Sequence, residues 1–347
     1  MRPILALSLA FLFVGCAADP GNEADDVAEQ SAALAVPPGL EVPGDQHIVL
    51  EAHGVGFQVY QCTDTPSGHA WTFRAPAALL FAPDGEIVAS HFGGIDVGLP
   101  PGVYWQSTLD GSRVHGGNAV SAPNPGAVAL LRLQALDTAG DGIFTPVTFI
   151  HRLATVGGLA PTGQCGRLGT RLPVFYQAEY VFYAAGLPRP EAPATLVVPA
   201  GNNLAHALHG EGFQVYSCLP DASGNLAWTF RAPRAQLFDD DHKLVANHFG
   251  GIETGLPAGV YWQSVKDGSR VHAGNAISVP NPGAVPLVRL QTLDTARTGI
   301  FSRVSFLQRL TTVGGLAPTG ACAPQDAQVA VPYTADYFFY IPNLDGV

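Results

Sequence analysis

The chain has 347 residues, 47% hydrophobic and only 13% charged, with a net charge of −11. That length exceeds what one hydrophobic core usually serves and favours two domains. Few basic residues, none of them clustered, exclude a phosphate-backbone binder, so no nucleic-acid partner is expected.

Met1-Arg2 followed by the apolar run Ile4 to Val14 has the proportions of a secretory signal and is too short to cross a bilayer as a helix. The run ends at Gly15-Cys16, which resembles the lipobox of bacterial lipoproteins. The resemblance implies that residues 1–15 are a cleaved signal peptide. It also implies that Cys16 carries diacylglycerol on its thiol and an acyl chain such as palmitate on the new amino group. The competing reading is an ordinary signal peptide with an incidental cysteine. Ala17 replaces the Asp that retains many lipoproteins at the inner membrane, so the outer membrane of the cell envelope is the expected site. Residues 16–35 are small and acidic (Asp19, Glu23, Asp25, Asp26, Glu29) and read as a disordered tether.

Beyond the tether the chain repeats itself. Gly56-Phe57-Gln58-Val59-Tyr60-Gln61-Cys62 recurs as Gly212-Phe213-Gln214-Val215-Tyr216-Ser217-Cys218, and His91 to Val128 recurs as His248 to Val285 with most positions identical. All Trp and all Tyr pair across the copies. The first domain is placed at 36–187 and the second at 194–347, joined by a stiff proline-rich linker at 188–193. Setting Cys16 aside leaves one cysteine pair per copy, Cys62 with Cys165 and Cys218 with Cys322. Export to an oxidising compartment makes both pairs disulfides.

Within a copy, strand signals dominate, as the 40 Gly and 29 Pro suggest. Leu79-Leu80-Phe81 and Ile87-Val88-Ala89 flank the turn Pro83-Asp84-Gly85, and Val103 to Gln106 and Arg113 to His115 flank Asp110-Gly111-Ser112. Val128 to Leu133 reads as a buried strand, Phe144 to Leu153 as a long one with Pro146 at a bulge or edge, and Tyr176 to Tyr183 as the closing strand. The pattern predicts an all-β fold of two tandem sandwich-like or barrel-like domains.

The strand Gly56 to Cys62, the segment His91-Phe92-Gly93-Gly94, Trp105 ahead of Asp110-Gly111-Ser112, and Leu153-Ala154-Thr155 through Gly157-Gly158, Pro161 and Cys165 resemble a known family. It is the secreted bacterial and fungal family catalogued as domain of unknown function 3455. Both copies carry the motifs. The resemblance implies secretion and a compact β domain, and it supplies no activity and no catalytic residue.

Candidate chemistry starts with histidines matched between copies: His53 with His209, His91 with His248, and His115 with His272. Three imidazoles per domain from separate strands are a candidate zinc or copper site, against which stands simple hydrogen bonding under glycine-rich loops. Asp110, Ser112 and His115 invite a hydrolase reading, but three members within one hairpin rarely converge, and a tight turn explains them. Trp71, Tyr176 and Tyr180, with Trp228, Tyr333 and Tyr337, are candidates for a ligand-stacking platform; core packing is the alternative. No glycine-rich fingerprint for a dinucleotide is present, and no cofactor is expected beyond a metal at the histidines.

The expected function is that of a membrane-anchored envelope module, non-catalytic, binding a polysaccharide or an envelope protein or serving structurally. The alternative is an extracytoplasmic metal-binding protein or metal-dependent enzyme built on the matched histidines.

Overall fold

The computed structural model describes residues 34–344, so the expected signal peptide, Cys16 and most of the expected tether lie outside the described residues. It contains two eight-stranded antiparallel meanders, each closed into a barrel. The first barrel comprises β1 (Gln46–Thr65), β2 (Gly68–Phe81), β3 (Ile87–Gly93), β4 (Val103–Ser107), β5 (Arg113–Ala122), β6 (Leu130–Ala139), β7 (Val147–Gly157) and β8 (Arg171–Ala185). The second comprises β9 (Asn202–Pro220), β10 (Leu226–Phe238), β11 (Leu244–Gly250), β12 (Val260–Ser264), β13 (Arg270–Asn281), β14 (Ala284–Ala296), β15 (Phe306–Gly314) and β16 (Gln328–Pro342). Each strand pairs with its neighbours in sequence, and β1 against β8 and β9 against β16 shut the rings. The fold is therefore all-β, and of the two architectures the sequence allowed, it is the barrel.

Alternation puts every second side chain inside. On β1, Leu50, Ala52, Gln58 and Tyr60 are buried while His53 and Phe57 are more exposed. The inner set of the first barrel includes Leu80, Val88, Trp105, Val114, Ile150, Tyr176, Tyr180 and Phe182. Both expected hairpins form, joining β2 to β3 and β4 to β5.

One end of each barrel is plugged from within. Asp110 Oδ1 accepts hydrogen bonds from the Ser112 backbone N–H at 2.8 Å and the Ser112 hydroxyl at 2.6 Å. Asp110 Oδ2 accepts from the Ile143 N–H, and Ser112 Oγ accepts from the Phe144 N–H. Phe144 is drawn fully into the core, which explains why β7 begins at Val147 rather than at Phe144 as the apolar run suggested. Asp267, Ser269 and Phe301 repeat the latch in the second barrel.

The barrels also contact each other. Arg303 pairs with Glu51 at 2.8 Å, Lys243 and Lys266 both reach Asp141, and Asn203 donates to the Asp45 carbonyl. The segment after β8 is not free: the Leu187 N–H donates to the Leu204 carbonyl at 2.7 Å, and Arg189 lies over the Tyr340 ring.

Each barrel holds its expected disulfide, Cys62–Cys165 and Cys218–Cys322. Cys165 belongs to the long β7–β8 connection, which the bond ties to β1 across a sequence separation of 103. Constraining so long a loop stabilises by about 2–4 kcal/mol in typical cases. Replacing Cys62 and Cys165 together by Ala should therefore lower the unfolding free energy of the first barrel by about that amount. Urea titration followed by far-UV circular dichroism reads it, and an unchanged midpoint would show that the bond contributes nothing.

Candidate functional site

The end opposite the plug opens into a cup in the first barrel, with a volume of about 570 Å³. Its apolar wall comes from Val103, Val128, Leu131, Leu133 and Leu159, with Phe73 and Leu159 half-exposed at the lip. Its polar residues are Gln58, Tyr60, His91, Arg152 and Tyr180.

Cross-strand pairing of His91 with Trp105 builds the inner layer. The two rings stack face to face with centroids 4.2 Å apart, and Tyr180 meets both edge-on. His91 Nδ1 lies 2.9 Å from the Tyr104 carbonyl. A carbonyl only accepts, so Nδ1 carries the proton and Nε2 keeps its lone pair. Burial holds this ring neutral, with its pKa down at about 3. Beside it the Tyr176 and Tyr180 hydroxyls pair at 3.0 Å, and desolvation raises the pKa of both. Gln58 Nε2 and Trp105 Nε1 are buried donors without a protein partner.

The second barrel repeats the arrangement: His248 stacks on Trp262 at 4.1 Å, Tyr333 pairs with Tyr337 at 2.9 Å, and Gln214 and Trp262 again hold unpartnered donors. Its cavity, however, is about 110 Å³. One sequence difference in the lining bears on the loss: Gly116 of the first copy is Ala273 in the second. A Cβ on Gly116 would lie 2.7 Å from the Trp105 ring, inside the lumen, and Ala273 is packed in the core with Trp262 and Leu290.

The matched histidines do not converge. His53 sits on the outer surface bonded to Glu179 at 2.6 Å, His91 is inside, and His115 lies outside the sheet. There His115 stacks on Tyr104 and bonds to Asp137 at 2.9 Å. His209, His248 and His272 follow the same division. Among the described residues no three His, Cys, Asp or Glu side chains are grouped to hold a metal ion. The approach of His115 to the 94–102 loop requires Gly102, where a Cβ would fall 2.1 Å from Nε2. The Ser112 hydroxyl is spent on the latch and His115 bonds to Asp137, so Asp110, Ser112 and His115 do not form a triad.

The stacking candidates separate as well. Tyr176, Tyr180, Tyr333 and Tyr337 are buried inside the barrels, whereas Trp71 and Trp228 are half-buried opposite Cys62 and Cys218 on neighbouring strands. They form no exposed platform. Tyr180 instead lines the cup, with Tyr176 bonded to it, together with Gln58 and Arg152, which sequence reasoning passed over. The available signal was their exact recurrence as Gln214 and Arg309 on otherwise apolar inward faces.

These features define a tandem pair of up-and-down β-barrels, each with an aromatic and polar lumen closed at one end. A family model described as a protein of unknown function (DUF3455) matches residues 43–184 and again 199–341, and the chain belongs to that family, in two copies. No curated protein and no solved structure matches it.

The buried histidines set a pH dependence. His91 and His248 take a proton at about 3 when folded and at the ordinary 6.5 when unfolded. Below pH 6.5 the unfolded chain gains protons that the folded chain refuses. Stability is thus full above pH 6.5 and declines with acid down to about pH 3, by at most roughly 1.4 kcal/mol per pH unit per ring. Urea titrations at neutral and mildly acid pH should show the decline, and replacing His91 and His248 by Gln should lessen its slope. An identical slope in that variant would contradict the assignment.

Proposed function

We propose that the chain is an exported envelope module, tethered through Cys16, whose first barrel binds a small, largely apolar molecule in its lumen. The observation that carries this is the cup itself: about 570 Å³, within the usual range of ligand sites, with apolar walls and a few convergent polar groups. Binding rather than catalysis is favoured by the state of those groups. His91 is a poor proton carrier near neutrality and the tyrosines are held protonated, so neither suits general acid–base work. A metal-centred activity draws no support from histidines that lie on opposite faces of the sheet.

The second barrel keeps the same inner residues with little room, and we take it as a largely closed copy. A neutral fluorophore, N-phenyl-1-naphthylamine, titrated into the purified full chain should saturate at one site per chain. Placing the second copy's alanine in the first, as Gly116→Ala, should weaken that binding by about tenfold or more, since even one methylene of overpacking costs about 1–3 kcal/mol. The reverse change, Ala273→Gly, should enlarge the second cavity and raise the binding it supports. Absence of saturable binding, or indifference to Gly116→Ala, would defeat the proposal.

A further inference from the structure

We propose that the cup of the first barrel receives the carboxylate of an otherwise apolar organic acid, held by Arg152 above the Tyr176–Tyr180 pair. This rests on the lumen-binding reading and names its ligand class.

Arg152 lines the cup from β7. Its Nε and Nη2 both donate to the Ala129 carbonyl, at 3.3 and 2.8 Å, which fixes the plane of the guanidinium. Arg74, Arg171 and Arg303 each reach a carboxylate. Arg152 pairs with none among the described residues, although the chain carries 28 acidic residues against 17 basic ones. The second copy agrees: Arg309 donates to the Pro286 carbonyl at 2.7 Å, its Nε is buried without a partner, and no described carboxylate reaches it.

The groups around the charge are neutral. Tyr60, His91, Tyr176 and Tyr180 all feel the Arg152 cation, and none is an anion near neutral pH. A guanidinium in an apolar cavity without a counter-ion is costly, and a carboxylate answers its planar fork with two parallel hydrogen bonds. The wall of Val103, Val128, Leu131, Leu133 and Leu159 calls for a hydrocarbon body.

Isothermal titration of the full chain with decanoate, 1-decanol and decyl phosphate, each below its aggregation limit, tests the assignment. Decanoate should bind about tenfold or more tighter than decanol. Arg152→Met should erase that preference while leaving decanol affinity within about twofold, which also shows that the variant is folded. Arg152→Lys should keep part of the preference, and Arg309→Met should leave it unchanged. Equal binding of acid and alcohol, or a preference that survives Arg152→Met, would overturn the carboxylate assignment and leave the lumen site standing. Tighter binding of decyl phosphate than decanoate would also overturn it. If none of the three compounds binds the wild-type chain, the lumen reading falls as well.

Discussion

Closure of each sheet on itself is the constraint from which the rest follows. Once β1 pairs with β8, and β9 with β16, alternate side chains of eight strands have nowhere to go but a narrow lumen. Large rings must fill it, and they must stack to fit. Trp105 with His91, and Trp262 with His248, supply that filling at the middle of each barrel. The same enclosure desolvates the histidine and tyrosines and fixes their protonation. A polar layer thus becomes neutral by burial, with only Arg152 or Arg309 bringing charge to it.

Much of this architecture was legible in the sequence. Pro83-Asp84-Gly85 and Asp110-Gly111-Ser112 placed hairpins correctly because their turn chemistry is local, and cysteine parity gave the pairing in each copy. The site was harder to read, for a geometric reason. Whether a side chain enters the lumen depends on strand parity, and bulges reset it within β2 and β6, where Arg74 and Leu136 have no partner in the ladder. His53, His91 and His115 recur equally well in both copies, yet only His91 is inside. Recurrence alone could not separate them, since latch, surface pair and lumen are all duplicated. The run from Phe144 misled for a different reason: the Ser112 hydroxyl captures the Phe144 N–H, and the residue turns inward as a plug instead of extending the strand.

Differences between the copies carry as much information as their likeness. Lys243 and Lys266, the only lysines of the chain, meet Asp141, and Arg303 meets Glu51. The equivalent positions in the other copy are Glu86, Leu109, Thr298, Pro146 and Ala207. A head-to-tail contact uses a different face of each barrel, so its charged pairs have no reason to recur. Asp141 is one side of that contact. His151 shows the opposite case. Its Nε2 donates to the Leu40 carbonyl and its Nδ1 accepts from Tyr183, and in the second barrel Gln308 does both tasks with Leu196 and Tyr340. The bonding scheme persists although the residue type changed.

The polar residues of the lumen are retained in both barrels, down to the arginine anchored on a backbone carbonyl, while the space above them is kept in one and filled in the other. A methyl at position 273 needs no change of fold to do this, because Trp262 already occupies the layer beneath. Retaining an unneutralised guanidinium where little cavity remains is a cost with no packing return, and its presence in both barrels follows from their common origin. The charge in the lumen therefore predates the duplication, and the cup belongs to the single barrel as a unit rather than to the pair.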